Sequence, residues 1–157
     1  MAKAREIPGL HAGVPFAEAA ARTVAVRAAE LREHADGVLD TSDIERVHAM
    51  RVATRRLRAV LEIYAPCFPP KQLKPVLRDV KALADALGAR RDPDVQLEAL
   101  DRLADAFDPA DRDGVARLAG EVRAEQRAGN EVLAAALARA EADDLDARLR
   151  ALVEAAR

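Results

Sequence analysis

Apolar residues recur along this chain at three- and four-residue intervals and nowhere alternate, a pattern that predicts helices and no strands. A first helix is expected from about Pro15 to Asp36, with Pro15 suited to the first turn and Gly37 just past the end. A second begins at Ser42, where Ser42-Asp43-Ile44-Glu45 reads as a capping box, and runs to about Tyr64. Pro66, Pro69 and Pro70 stop it. A third follows from about Lys71 or Gln72 to Leu87, burying Leu73, Val76, Leu77, Val80, Leu83 and Leu87, with Pro75 tolerated in its first turn and Gly88 ending it. Asp92-Pro93 reads as a cap followed by a first-position proline, which opens a fourth helix to about Phe107. Asp108-Pro109 repeats that signal before a long helical stretch to about Glu141. Its stripe of Leu118, Val122, Val132, Leu133 and Leu137 is interrupted by Gly114, Gly120 and Gly129, which invite a kink or a close helix approach. A last helix, from Asp143 or Asp144 to Ala156, buries Leu145, Leu149, Leu152 and Val153. Short connections imply antiparallel neighbours, so the expected fold is an all-α, antiparallel four-helix bundle with extra short helices.

Composition agrees with that pattern. Of 157 residues, half are hydrophobic and only 3% aromatic, and the abundance of Ala, Leu, Arg and Glu favours helix. The length fits one domain over residues 15–157, preceded by a flexible arm over 1–14 that mixes Pro8, Gly9 and Gly13 with small and polar residues. The single cysteine, Cys67, leaves no internal disulfide and no cysteine cluster for a metal, and reads as a small buried hydrophobe. Pro8, Gly9, Pro15 and Glu18 break any apolar run near the start, and no run reaches membrane-spanning length. A soluble, cytoplasmic protein without membrane contact is expected.

Charge changes the picture more than composition does. The net charge of -2 hides a segregation: residues 46–91 carry 11 basic and 3 acidic side chains, a net of +8, and residues 92–157 carry 9 basic and 16 acidic, a net of -7. At about 100° per residue, His48, Arg51, Arg55 and Arg58 fall within an arc of about 80° on the second helix. Met50, Leu57, Leu61 and Tyr64 gather on another side. Lys74, Arg78 and Lys81 repeat the arrangement on the third helix. Neighbouring cations at these spacings repel by about a few tenths of a kcal/mol per pair, so an anion is expected between them. If the two helices pack antiparallel, their stripes line one groove whose guanidinium forks suit phosphate. The competing reading is a solvated face neutralised by pairs such as Arg58 with Glu62 or Arg78 with Asp85.

The run His48-x-x-Arg51-Val52-x-x-Arg55-Arg56-Leu57-Arg58, followed by Leu87-Gly88-x-x-Arg91-Asp92-x-Asp94-Val95, resembles the paired motifs of the CHAD family, the conserved-histidine α-helical domain. The resemblance covers roughly residues 15–157 and corresponds to the first half of a fold made of two similar four-helix bundles. It implies a basic surface that binds inorganic polyphosphate, with His48, Arg51, Arg55 and Arg58 as ligands in the first motif and Arg91 in the second. Lys74, Arg78 and Lys81 join that set by phasing alone. Family members often accompany a triphosphate tunnel enzyme domain, and several associate with polyphosphate granules. This chain has one HxxR element, so either it is a fragment or two copies meet as a homodimer to rebuild the two-bundle shape.

Two readings of His48 stand side by side: a cation recruited by phosphate, or a structural hydrogen bond to a carboxylate of the Arg91-Asp92-x-Asp94 segment. Asp92 and Asp94 read as helix-start residues that restrain Arg90 or Arg91. His11, His34 and His48 lie too far apart for metal-ligand spacing, and no cofactor motif occurs. A non-enzymatic binding module for inorganic polyphosphate is therefore the leading expectation. The alternatives are a Mg-dependent polyphosphate or triphosphate phosphohydrolase component, which lacks clustered carboxylates, and a nucleic-acid-binding helical domain, which lacks aromatics for stacking.

Overall fold

The computed structural model describes residues 3–157, so the first two residues of the expected arm lie outside the described residues. The protein is all helical, with α1 over Phe16–Ala35, α2 over Ile44–Ile63, α3 over Pro70–Ala106, α4 over Arg112–Ala142 and α5 over Leu145–Glu154. A 3-10 turn, Ala65–Cys67, joins α2 to α3. No strand occurs among the described residues.

The principal departure from the sequence reading is α3. Instead of stopping at Gly88 and restarting at Asp92-Pro93, it is one helix of 37 residues with both Pro75 and Pro93 inside it. An interior proline removes one hydrogen bond and costs about 3 kcal/mol, so something must hold the helix together around Pro93. Arg90 and Asp94, one turn apart and straddling Pro93, form an ion pair with both side chains fully buried. From α4, Asn130 Oδ1 accepts from Arg90 Nε at 3.1 Å and Gln126 Nε2 donates to Asp94 Oδ1 at 2.6 Å. The carbonyl of Ala89, which Pro93 leaves without its usual amide, lies where α4 comes closest: a Cβ on Gly129 would sit 2.7 Å from it. Tertiary contacts thus override a local breaker, and Asp92 is an exposed mid-helix residue instead of a cap.

The second departure is the start of α2. Asp43 is the cap, its carboxylate accepting from the Glu45 amide, whereas Ser42 turns back to donate to Asp40. The capping box expected from Ser42 is replaced by an Asx-type turn. At the junction of α4 and α5, Asp144 adopts left-handed backbone, with φ of 50°, and caps α5 by accepting from the Ala147 amide.

Core packing follows the apolar stripes. Val24 and Leu31 of α1, Val47, Met50, Leu57 and Leu61 of α2, Val76, Val80 and Leu87 of α3, Leu133 of α4 and Leu149 and Leu152 of α5 form one buried cluster with Cys67 and Phe68. The fourth corner of the bundle is shared. α4 packs mainly on α3, while α5 packs on α1 and α3. α5 carries on in the direction of α4: Arg148 reaches Asp79 at 2.6 Å, and the amide of Arg157 donates to the Cys67 carbonyl at 3.0 Å. Across the gap between α1 and α5, Arg32 pairs with Asp146 at 2.7 Å.

The segment before α1 lies along it. The Arg5 amide donates to Glu30 at 2.7 Å, and Arg22 donates to the Pro8 carbonyl at 3.1 Å. Glu30, only 3% exposed, also accepts from Arg27 at 2.7 Å. Burial pushes its carboxyl up, but the Arg5 amide and the Arg27 guanidinium outweigh that and hold it below its ordinary value.

Candidate functional site

On α2 the buried residues Val47, Met50, Thr54, Leu57 and Leu61 fix the rotation of the helix. That rotation leaves Arg51 and Arg55 exposed and His48 and Arg58 half-buried at the edge of the packed face. Glu62 stands at the same angular position as this stripe. It accepts from Arg58 Nε at 3.1 Å and lies 3.3 Å from Lys81 Nζ, so one carboxylate ties the stripe on α2 to the cations on α3. Those two hydrogen bonds, Arg58 first and Lys81 second, hold the Glu62 carboxyl below its ordinary value. Glu62 was legible only as a partner of Arg58; its link to α3 needs the tertiary fold.

On α3, Lys74, Arg78 and Lys81 share one face. They line a shallow hollow of about 460 Å³ floored by Leu77 and Ala82 and ended by Asp85. Arg78 pairs with Asp79 at 3.0 Å, and the expected partner Asp85 is not used. Asp79 also holds Arg148, and although burial raises its carboxyl, the hydrogen bonds from Arg148 and Arg78 lower it overall. Another cavity, about 500 Å³, lies where α1, α4 and α5 meet over Met50 of α2 and Leu83 of α3, with Leu31, Leu137 and Leu149 in its wall.

Arg91 is half-buried, and its Nη1 is buried without a hydrogen-bond partner. On the helical wheel it stands about 100° from Arg90, whose side chain meets α4, and about 40° from the buried Leu87. Since α2 and α3 run antiparallel, with Glu62 near Lys81, Arg91 falls level with the first half of α2, where His48 and Arg51 stand. Its neighbour Arg90 is the fully buried member of the motif, and it locks α3 to α4. Sequence spacing alone does not tell which of the two adjacent arginines turns inward.

His48 makes no hydrogen bond or ion pair among the described residues. Of the carboxylates in the Arg91-Asp92-x-Asp94 segment, Asp94 is held by Arg90 and Gln126, and Asp92 is exposed and makes no ion pair among the described residues. Arg51, Arg55 and Lys74 are likewise without an anion partner among the described residues. The site is thus a face on which three cations are unneutralised, two share Glu62 and one shares Asp79. Among the described residues no three His, Cys, Asp or Glu side chains gather as a metal site. No described helix is long and apolar enough to cross a membrane.

No curated protein matches the chain. The family model of the CHAD domain matches residues 22–157, a span that holds α2, α3 and every residue of this basic face. The chain therefore belongs to the CHAD domain family.

Proposed function

We propose that the α2–α3 face binds inorganic polyphosphate and that the protein is a binding module without catalytic activity. The observation that carries this reading is the unneutralised set of Arg51, Arg55 and Lys74 around the Arg58–Glu62–Lys81 bridge. Exposed cations normally find carboxylates in a chain with 27 acidic residues, and on this face only Glu62 and Asp79 pair with them. CHAD domains are associated with polyphosphate and triphosphate, which selects the anion. Binding works by charge: successive phosphates release counterions as Arg51, Arg55, Arg58, Lys74, Arg78, Lys81 and Arg91 supply donors. His48 adds a donor when protonated, strengthening binding in mild acid.

Titration of the chain with polyphosphate across a salt series tests the mechanism. Affinity falls steeply as salt rises, whereas a salt-independent affinity would remove the electrostatic basis. Reversal of Arg55 and Arg58 to Glu abolishes binding while the circular dichroism spectrum is unchanged. Release of phosphate on incubation with polyphosphate and Mg²⁺ would replace this reading with a phosphohydrolase. Stronger competition by RNA than by polyphosphate at equal phosphate concentration would replace it with nucleic-acid binding.

A further inference from the structure

α3 has 37 residues against 20 in α2, and its excess length projects past the bundle together with the start of α4. The level at which the bundle ends is marked by Asn130, whose amide donates to the Leu39 carbonyl in the α1–α2 connection at 3.1 Å. Beyond it, the buried residues of α3 stop at Asp94. The remaining stretch to Ala106, about 18 Å long, has no fully buried side chain and faces α4 across a groove. On this two-helix end, Leu100 and Leu103 of α3 and Leu118 and Val122 of α4 line a groove of about 380 Å³. Leu103 and Leu118 are each 47% exposed, and elsewhere on this end of α3 Val95 and Phe107 are 47% and 40% exposed. A helix pair ending in water would carry polar residues at such positions, and clustered apolar exposure marks an interaction surface.

Charge identifies the visitor. Residues 95–125 carry eight acidic and four basic side chains, a net of -4, and on α4 Glu121 and Glu125 stand beside the Leu118–Val122 face that lines the groove. We propose that this hairpin end docks a basic amphipathic helix of a partner, whose apolar side chains at i, i+3, i+4 and i+7 enter the groove while its Lys and Arg residues meet the flanking carboxylates. The partner helix adds the third member that the hairpin lacks. A second copy of the same hairpin end would bring like charge against like charge. Nor does α2 of a second copy qualify, because its apolar side, with Leu57 and Leu61, is already buried.

The probe is a fluorescent synthetic helix about five turns long, with Leu on one face and Lys on the other, titrated into the full chain at about 0.15 M salt. Saturable one-to-one binding is expected. The double substitution Leu103→Asp with Leu118→Asp weakens it by about tenfold or more, and Leu118→Gln alone gives a smaller loss of the same sign. Helical content and polyphosphate affinity are unchanged in these variants, which keeps this surface separate from the α2–α3 face. Equal binding of the variants, or of a scrambled peptide with the same charge, overturns the proposal. So does sedimentation showing a wild-type dimer that the double variant disperses, since the occupant would then be a second copy.

Discussion

At the scale of single residues, Glu62 is the most informative side chain on the basic face, because it is an anion already bound there. A polyphosphate must take Arg58 and Lys81 from it, and the carboxylate left beside them then repels the incoming phosphates. Glu62→Gln is therefore expected to raise polyphosphate affinity by about threefold to tenfold, about 0.7 to 1.4 kcal/mol, most clearly at low salt, in the same titration that loses signal with Arg55 and Arg58 reversed. Unchanged affinity would show that phosphates bypass the bridge. Glu30 gives the pH dependence of folding. Its carboxyl titrates below the ordinary 4.5 in the folded protein, so the unfolded chain takes up the proton first. The stability it contributes is complete above about pH 4.5 and is lost as pH falls through the lowered folded value. Glu30→Gln removes that part of the acid sensitivity. Urea melts of both proteins between about pH 3 and 6 should converge at the acid end and separate above it, with the native chain the more stable.

At the scale of elements, continuity of α3 depends on α4. Gly129→Ala would gain about 1 kcal/mol in helix propensity, but its methyl would press on backbone, 2.7 Å from the Ala89 carbonyl and 3.1 Å from the Arg90 Cα. Backbone cannot rotate aside as a side chain can, so a net loss of about 1–3 kcal/mol is expected, read as a lower urea midpoint. A higher midpoint would mean that the helices are not in close contact there. Asp94→Asn leaves Arg90 buried with its charge uncompensated and should cost about 3–5 kcal/mol. The same pair explains what the sequence could and could not reveal. Periodicity located α1, α2 and the apolar stripe of α3 to within a few residues, because their burial follows a local repeat. The break expected at Gly88 and Pro93 followed equally sound local rules, yet Asn130 and Gln126, more than thirty residues away along the chain, reverse the outcome. The stripes on α2 and α3 were legible for the same reason as the helices. Their bridging by Glu62 and the inward turn of Arg90 were not, since both depend on how one helix is rotated against another.

At the scale of the whole molecule, segregated charge crowds like charges within each of two regions of the free protein, with +8 over residues 46–91 and -7 over residues 92–157. Like charges crowded on one folded surface are closer together than in the unfolded chain, so folding is opposed by repulsion that salt screens. Adding salt to the free chain is thus expected to raise the melting temperature. Polyphosphate acts in the opposite salt regime. It binds the folded basic face better than the unfolded chain and stabilises by RT ln(1 + [L]/Kd), about 2.7 kcal/mol at a hundredfold excess over Kd. That excess shrinks as salt weakens binding. Melting curves with and without polyphosphate should therefore lie far apart at about 20 mM salt and converge towards about 0.5 M, the free protein rising as the complex loses its advantage. The Arg55→Glu, Arg58→Glu double variant separates the two contributions. It relieves repulsion on the basic face, so its melting temperature without ligand should be less salt-sensitive than that of the native chain, and polyphosphate should leave its curve in place at every salt concentration. A polyphosphate shift that survives in this variant would mean that the stabilising contact lies outside the α2–α3 face.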